Sequence, residues 1–350
     1  MKIVVLGLSI TSSWGNGHAV TYRTLLRGLR GRGHDVVFLE RDVPWYAVHR
    51  DAPGTGELYG SLDELRARYA APVRDADLVV VGSYVPEGPE VASWALETAR
   101  GTTAFYDVDT PVTLAKLAAG DAEYLTPELV PAFDVYFSFT GGPTLQRLEY
   151  EWRARHAVAL YCAADPDLYF PEPRERRWAL GYLGTYSDDR QPTVEELLVE
   201  PARLKPAERF VVAGPQYPEE LRWPANVERL EHVPPAEHRG FYAQQALTLN
   251  VTRADMVAAG WSPSVRLFEA AACGVPVVSD SWEGLDELFE PGEEIVIAQN
   301  AADVLEALEL PERERRAIGE SARARVLAEH TPEQRALTVE RSAAMVGAPT

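Results

Sequence analysis

The residues best suited to chemistry lie in one strip, residues 260–279, GWSPSVRLFEAAACGVPVVS. Its pattern predicts a helix that opens at Ser262 and has Pro263 in an early position, and that Gly274 ends. A buried strand over residues 275–279 follows it. Because a helix start carries unpaired N–H groups and positive charge, it favours a phosphate, and Arg266 would add a planar charged group to the same oxygens. The strip therefore predicts an anion site.

Glu269 lies in the same predicted helix among Ala, Leu and Phe residues. A carboxylate in such surroundings costs several kcal/mol unless its oxygens are paired. Two interpretations stay open: an ordinary ion pair with Arg266 three residues earlier, or hydrogen bonds to hydroxyl groups of a ligand.

Ligands of open α/β sheets bind outside the carboxyl ends of the strands, so the polar residues after the strand are further candidates. Ser279 ends the strand, and Gly284 and Glu287 lie in the loop that follows. Glu287 could equally stand at an exposed helix start, where the helix dipole favours carboxylates.

The segment FYDVDTPVTLAKL, residues 105–117, carries the second group of candidates. A strand predicted to end near Tyr106 is followed by Asp107 and Asp109, and Thr110 starts a helix. Either Asp109 or Thr110 could serve only as a helix cap. Two acids exceed what capping needs, so one is expected to orient a hydroxyl or to act as a base, and Asp109 is the first choice.

The loop over residues 9–18 follows the first predicted strand and has glycines that permit close approach of a ligand. With Glu40 it resembles a dinucleotide fingerprint, but Val20 occupies the third glycine place. A plain glycine turn and a site-lining loop both remain possible, and His18 could donate to a phosphate or take up a proton near neutral pH. The candidates in the loop are Trp14, Gly15, Asn16, Gly17 and His18.

Two further arginines follow predicted strands of the second half. Arg190 lies in the loop after residues 178–183, and Arg253 follows residues 247–251. Arg253 is either a phosphate contact or a charge at the rim of the site, and for Arg190 a solvated surface charge is the alternative to a functional role. The helix start at Ser262, Ser264 and Val265 completes the predicted anion site.

Strands and helices alternate in two series, which predicts an α/β protein with parallel sheets. Residues 161–177 separate the series with three prolines and a run of charges, as expected for a linker. The predicted domains are residues 1–165 and 178–330, with a linker at 166–177 and a terminal helix within 331–350. The predicted strands are residues 2–8, 35–39, 78–81, 103–106, 135–139, 178–183, 209–213, 247–251, 275–279 and 294–297.

Length, composition and net charge exclude several classes of function. The chain has 350 residues, enough for two domains, with 46% hydrophobic and 25% charged residues. The net charge of −19 weighs against nucleic acid or an anionic membrane as a partner. Two distant cysteines suggest neither a disulfide framework nor a zinc site, and no apolar run approaches the ~20 residues of a membrane span. A cytoplasmic location is expected.

The strip at 260–279 resembles the nucleotide-binding segment of glycosyltransferases of the GT-B fold, specifically the family 4-like group and its CgeB-like branch. That group has two glutamates around seven residues; the second binds the nucleotide ribose and the first lies near the donor sugar. Glu269 takes the second place, but Trp261 stands in the first. The linker, with Ala164, Asp165 and Pro171, is also similar to the family's linker.

This resemblance implies two Rossmann-like domains facing across a cleft, with the acceptor in the first and a nucleotide-diphosphate sugar in the second. Arg190 and Arg266 would stabilise the departing diphosphate. The resemblance implies transfer with retention, and neither a metal nor a cofactor is expected besides the donor co-substrate. Alternatives are a nucleotide-sugar epimerase or hydrolase on the same fold and a catalytically silent nucleotide-sugar-binding protein; acceptor and oligomeric state stay unassigned.

Overall fold

The computed structural model describes residues 1–14 and 17–347, which form two units. The first comprises Met1–Cys162 together with the C-terminal segment from Pro332, and the second is Ala163–Thr331. Each unit contains one parallel sheet with helices on its faces. The predicted α/β architecture with two parallel sheets is therefore confirmed.

The strands are β1 (Lys2–Gly7), β2 (Asp35–Arg41), β3 (Glu57–Tyr59), β4 (Leu78–Gly82), β5 (Thr102–Asp107), β6 (Val135–Ser138), β7 (Ala157–Ala159), β8 (Trp178–Leu183), β9 (Phe210–Ala213), β10 (Val227–Leu230), β11 (Gln245–Asn250), β12 (Val277–Ser279) and β13 (Val296–Ile297). The helices are α1 (His18–Gly31), α2 (Pro44–Ala47), α3 (Leu62–Arg74), α4 (Gly88–Thr98), α5 (Thr110–Ala118), α6 (Pro143–Tyr150), α7 (Gln191–Val194), α8 (Glu200–Leu204), α9 (His238–Ala243), α10 (Ala254–Ala259), α11 (Val265–Ala272), α12 (Leu285–Leu288), α13 (Ala301–Glu309), α14 (Glu312–Glu329) and α15 (Pro332–Gly347). A π-helical segment, Glu195–Val199, joins α7 to α8.

In each sheet the strand order reverses its direction at one pair of neighbouring strands. The first sheet has the order β3-β2-β1-β4-β5-β6-β7 and the second β10-β9-β8-β11-β12-β13. The connection that follows β1 and the one that follows β4 therefore run on opposite sides of the first sheet. The connections that follow β8 and β11 do the same in the second sheet. Such switch points open a crevice at the carboxyl ends of the strands, where ligands of α/β sheets bind.

Buried β-branched and aromatic residues explain the central strands. All five residues of β4 are buried, as are all six of β11, because helices cover both faces of the sheet. The apolar cores of the first unit lie on the two faces of its sheet, around Leu6 and Phe105 on one face and Val5 and Phe38 on the other.

The helix of the strip at 260–279 is shorter than its sequence pattern predicts. α11 begins at Val265, so Ser262 and Pro263 precede the helix and the prediction that it opens at Ser262 is wrong. Its C-terminal end follows the prediction. Gly274 has a φ of +70°, and the N–H groups of Gly274 and Val275 bond back to Ala271 and Ala270, which is the hydrogen-bond pattern of a glycine-terminated helix.

The last helix, α15, belongs to the first unit, where it packs on α1. Glu340 on α15 accepts hydrogen bonds from Arg32 at 2.7 Å and from His34 at 2.6 Å. Arg32 holds the pKa of the Glu340 carboxyl down at about 2. Among the helices formed by the described residues, none has the length and apolar character needed to cross a membrane.

Candidate active site

Arg266 anchors a polar cluster at the switch point between β8 and β11. Its Nε donates to the Leu183 carbonyl at 2.5 Å, and its Nη1 donates to Asn250 Oδ1 at 2.7 Å. Its guanidinium carbon lies 4.8 Å from the centroid of the Tyr182 ring. The side chain is therefore fixed by the ends of β8 and β11, and a fixed guanidinium loses little entropy when it binds an anion.

The Asn250 side chain connects the arginine to the start of α11 and to the end of β12. Its Oδ1 also accepts from Ser264 Oγ at 2.7 Å, and its Nδ2 donates to Ser279 Oγ at 2.9 Å. Ser264 occupies the N-cap position of α11, but its hydroxyl bonds to Asn250 rather than to the backbone N–H groups of the first turn. This bond leaves those N–H groups without a side-chain cap, a state that favours an anion there.

Asp280 closes the cluster on its other side. The backbone N–H and the hydroxyl of Thr252 each donate to it at 2.9 Å. Burial raises the pKa of Asp280, whereas these two hydrogen bonds act in the opposite direction. The carboxylate thus holds the loops after β11 and β12 together.

Arg190 lies beside Arg266, and no carboxylate in the described part of the chain forms a salt bridge with either guanidinium. Arg190 Nη2 donates to the Thr185 carbonyl at 2.5 Å, while its buried Nε has no hydrogen-bond partner among the described residues. Burial lowers the pKa of Arg190, and the Arg266 charge lowers it further. Two adjacent cations with an unsatisfied buried donor form a site that an anion would stabilise.

Glu269 is almost fully buried, with 3% exposure, on the side of α11 that faces α9. Tyr242 OH donates to its Oε2 at 3.1 Å, and His238 Nδ1 lies 3.5 Å from the same oxygen. Of the two sequence-based interpretations, the ion pair with Arg266 is not formed, because Arg266 points to Leu183 and Asn250 instead.

The other predicted donor-site residues lie in loops, at a strand end and in two helices. Ser262 and Ser279 are buried, and Val265 is the first residue of α11. Arg253 and Glu287 are exposed, at the start of α10 and on α12.

Trp261 packs directly against Gly284, and so joins the loop before α11 to the loop after β12. Trp261 N donates to the Glu283 carbonyl at 2.7 Å, and both Trp261 and Gly284 have positive φ, 41° and 88°. A Cβ atom at position 284 would lie 2.4 Å from the indole ring. A glycine is therefore required at this contact.

In the first unit, His18 stands at the start of α1 beside the switch point between β1 and β4. Its ring contacts that of Tyr84 edge to face at 5.4 Å, and its buried Nδ1 has no partner among the described residues. Burial lowers the pKa of His18 to about 4. The expectation that it takes up a proton near neutral pH is therefore not supported, since the ring is already neutral well below pH 7.

Asp107 ends β5 and is completely buried. Its carboxylate accepts hydrogen bonds from Tyr136 OH at 2.6 Å, from Thr113 Oγ1 at 2.8 Å and from the Asp109 N–H at 3.2 Å. Burial nevertheless raises its pKa to about 6. The side chain is thus enclosed by the end of the sheet and the start of α5.

Asp109 is half-buried at the N-cap position of α5, but its side chain does not cap that helix. It accepts a hydrogen bond from Tyr84 OH at 3.4 Å instead. Thr110 is fully buried and donates to the Asp107 carbonyl at 3.2 Å. Of the two predicted acids, Asp109 is the one that a ligand could reach.

The loop after β1 is held by Glu40 at the end of β2. The Glu40 carboxylate accepts from the N–H groups of Ile10 at 2.7 Å and Thr11 at 2.9 Å. These bonds occupy the acid that a dinucleotide fingerprint would direct to a ribose. Trp14 is 46% exposed and stacks on His49, Gly17 precedes α1, and Gly15 and Asn16 lie outside the described residues.

Sequence reasoning missed several residues of these clusters. Tyr84 is the clearest case, because nothing in its neighbourhood marks it except a position just after β4; its φ of +62° is visible only in the structure. His238 and Tyr242 were also missed, since they lie about 30 residues before Glu269 in sequence. Asn250 carried a signal, being a polar residue at the end of a buried strand.

Residues 190–341 match a family model described as glycosyl transferase-like. Among curated proteins, none is significantly similar in sequence. Solved structures match the whole chain at low identity, which shows the fold alone.

One such structure is the sucrose-phosphate synthase of Thermosynechococcus elongatus, at 14% identity, a TM-score of 0.70 and 99% coverage of both chains. Another is HepE of Anabaena, solved with UDP and glucose, at 15% identity, a TM-score of 0.71 and coverage of 99% of this chain and 100% of that one. A third is an alpha-glucosyltransferase bound to UDP-glucose and to DNA with an abasic site, at 14% identity, a TM-score of 0.69 and coverage of 99% and 100%.

The predicted GT-B fold is thereby confirmed over the full length. The strand ends that carry Arg266, Asn250 and Asp280 fall within the segment that matches the family model. The chain thus has the fold of the GT-B glycosyltransferases, and its residues 190–341 match a glycosyl transferase-like family model.

Proposed function

We propose that this protein is a glycosyltransferase that moves a hexose from a nucleotide-diphosphate sugar to an acceptor hydroxyl. The observation that carries the proposal is the pair of guanidiniums, Arg190 and Arg266, at the switch point of the second sheet. A diphosphate bound there would gain two cations and satisfy the buried Nε of Arg190. The family match of this segment and the nucleotide-bound neighbours support the same ligand class.

In the proposed reaction the second unit holds the donor. Arg190, Arg266 and the uncapped start of α11 stabilise the charge that grows on the diphosphate as it leaves, an electrostatic contribution that often dominates catalysis. Glu269 accepts hydrogen bonds from the nucleoside hydroxyls. The diphosphate is neutralised by arginines, so the proposed transfer is independent of a metal.

The first unit is proposed to bind the acceptor near His18, Tyr84 and Asp109. Asp109 orients the acceptor hydroxyl or a hydroxyl of the donor sugar. The proposed stereochemistry is retention, with the leaving phosphate helping to deprotonate the acceptor. The chain is further proposed to belong to the CgeB-like branch and to act in the cytoplasm.

The first test is a thermal-shift screen without added metal against UDP, GDP, dTDP, ADP and their sugar conjugates, since binding to the folded state raises the melting temperature. A shift with one nucleotide is expected, and Arg266→Ala should weaken that binding by at least about tenfold, because charged hydrogen bonds contribute ~1.5–3 kcal/mol each. Arg222→Ala is the matched control, because Arg222 is exposed and away from the cluster.

Product analysis then separates transfer from the alternatives. Transfer to an acceptor supports the proposal, release of free sugar indicates a hydrolase, and conversion of the donor to its epimer indicates an epimerase. Asp109→Asn should leave donor affinity unchanged and reduce turnover. Binding without turnover on any acceptor, or no nucleotide binding at all, would contradict the proposed activity.

A further inference from the structure

A second cluster of cations surrounds a cavity at the amino edge of the second sheet, where β8, β9 and β11 begin. This edge is opposite the carboxyl ends of the strands, which carry the candidate active site. The cavity has a volume of about 460 Å³. Its lining is basic for a chain with 53 acidic and 34 basic residues, because five of the twelve lining residues are cations and two are acids. The cations are Arg176, Arg177, Lys205, Arg209 and Arg315, and the acids are Glu208 and Glu309.

Arg315 on α14 is the cation of this cluster whose charge is least balanced. It is half-buried, and its Nη1 donates to the Leu308 carbonyl at 3.0 Å. Its buried Nε has no hydrogen-bond partner among the described residues, and no described carboxylate forms a salt bridge with its guanidinium. A guanidinium that is partly removed from water without a counter-charge is unfavourable. Because Arg315 lines the cavity, an anion bound there would supply that charge.

Two more arginines of the lining share a single carboxylate. Glu228 on β10 accepts hydrogen bonds from Arg177 Nη2 at 2.7 Å and from Arg209 Nη2 at 3.1 Å. The same carboxylate accepts from Trp178 Nε1 at 3.0 Å, and the guanidinium carbon of Arg177 lies 4.7 Å from the centroid of the Trp178 ring. Stacking and hydrogen bonds thus hold Arg177 in one orientation, so that it loses little entropy when it binds an anion.

The remaining two cations form exposed ion pairs. Lys205 pairs with Glu309, and Arg176 pairs with Glu312 at 3.3 Å; each of the four side chains is at least 35% exposed. Exposed pairs of this kind contribute little to stability, so these cations can turn to an added anion at small cost. Together with Glu208 and Glu228, the cluster has five cations and four acids, which leaves one positive charge in excess in a chain of net charge −19.

We infer that this cavity is a second anion site, separate from the proposed donor site, and that it binds a small molecule bearing a phosphate or diphosphate group. Four of the five cations are arginines, whose planar guanidiniums bind phosphate oxygens through paired hydrogen bonds. The volume suits a small ligand, and the net charge of −19 weighs against nucleic acid as the source of the phosphate. The inference does not depend on the proposed function, which uses the opposite edge of the sheet.

The test is calorimetric titration of the full chain with inorganic diphosphate at about 0.15 M salt, which screens weak attraction between distant exposed charges. Arg315→Gln removes the least balanced cation and should weaken binding at the cavity by at least about tenfold, because hydrogen bonds to charged groups are strong. The proposed donor site would give a second binding event. Arg266→Ala should weaken that event and leave the affinity of the cavity unchanged, since the two sites share no residues.

Arg316→Gln is the matched control, because it removes the same charge at the next position of α14. Arg316 is 70% exposed, pairs with Glu320 and is not among the lining residues, so the variant should bind diphosphate as the natural chain does. If Arg315→Gln folds poorly, Arg209→Gln gives a second test. Arg209 is an exposed residue of the lining, and its loss should weaken binding by about threefold.

Three results would overturn the inference. Equal weakening in Arg315→Gln and Arg316→Gln would show a general effect of charge, and weakening in Arg266→Ala alone would show that diphosphate occupies only the proposed donor site. The third result is that no diphosphate binds at the cavity. None of these results contradicts the proposed function, which the thermal-shift screen with nucleotides tests separately.

Discussion

At the scale of single residues, Asp107 and Asp109 show how two identical side chains in one short loop acquire different properties. Asp107 is enclosed by Tyr136, Thr113 and the backbone of Asp109, and its pKa is raised to about 6. Asp109 is half-exposed and contacts Tyr84. The sequence predicted that both stand at the carboxyl edge of the sheet, but it could not predict which one the neighbouring helix covers.

Asp107→Asn should change how stability depends on pH. The pKa of the carboxyl is about 6 in the folded protein and about 3.9 when unfolded, so between pH 4 and 6 the folded state holds the extra proton and stability falls as pH rises. Relative to the natural chain, Asp107→Asn should gain up to about 3 kcal/mol in unfolding free energy between pH 4 and pH 7. Urea unfolding at these pH values measures the gain.

Asp63→Asn is the control for that experiment, because Asp63 is an exposed acid in the same unit. It should show no comparable gain. If the unfolding free energy of Asp107→Asn follows that of the natural chain at every pH, the Asp107 carboxyl is not the source of the pH dependence. Its three hydrogen-bond donors would then offset the cost of burying the carboxylate.

At the scale of elements, prediction succeeded for the central strands and for the edge strand β13, but it missed the other three edge strands. β4 and β11 are wholly buried and read as continuous apolar runs, which the sequence shows directly. The strands that were missed, β3, β7 and β10, have three or four residues each and lie at or near sheet edges, where burial is partial. Edge strands depend on hydrogen bonds to a neighbour that no local pattern records.

The candidate site divides in the same way. Arg266 and Ser264 could be found because they lie at the start of a helix that runs into a buried strand, but the contact between His238 and Glu269 joins two helices that β11 separates in sequence. Helix starts are equally uncertain from sequence: Ser264 bonds to Asn250, and that tertiary contact accompanies the start of α11 at Val265 rather than at Ser262.

Gly284→Ala tests how the loop after β12 is held against the loop before α11. Both Gly284 and Gly292 have positive φ, 88° and 81°, but a Cβ at 284 would meet the Trp261 ring at 2.4 Å, whereas nothing lies within 4 Å of one at 292. Gly292→Ala therefore measures backbone strain alone, about 1 kcal/mol. Gly284→Ala should cost roughly 2 kcal/mol more from overpacking.

Urea unfolding of the two variants gives the difference, and Trp261→Ala supplies a check. The group that a Cβ at position 284 would meet is the indole ring. When Trp261 is already alanine, Gly284→Ala should therefore lower the unfolding free energy by little more than Gly292→Ala does. The effects of Gly284→Ala and Trp261→Ala are then not additive. Equal costs for both glycines in the natural background would show that the loop shifts freely and that the two loops are not fixed by this contact.

At the scale of the whole molecule, the chain crosses from the second unit back to the first at Pro332, so the first unit contains both ends of the described chain. Within the first unit the start of α15 packs closely on α1, because a Cβ at Gly28 on α1 would lie 2.0 Å from the Pro332 carbonyl oxygen. The net charge of −19 opposes anions in general, so the proposed binding of a diphosphate requires local cations such as Arg266 and gains nothing from the overall field.

Gly28→Ala should weaken the first unit while sparing the second. Alanine in a helix normally stabilises by about 0.5–1 kcal/mol relative to glycine, and Gly31→Ala, with nothing within 4 Å, should show that effect or none. At position 28 the clash with backbone reverses the sign, so we expect a loss of at least about 2 kcal/mol. Hydrogen exchange should then speed up in α1 and α15 and stay unchanged in α11 and β11. Nucleotide-sugar affinity should be retained, because the residues proposed to bind the donor lie in the second unit. Exchange that rises equally in both units would mean that the chain unfolds as one cooperative body and that α15 does not stabilise the first unit separately.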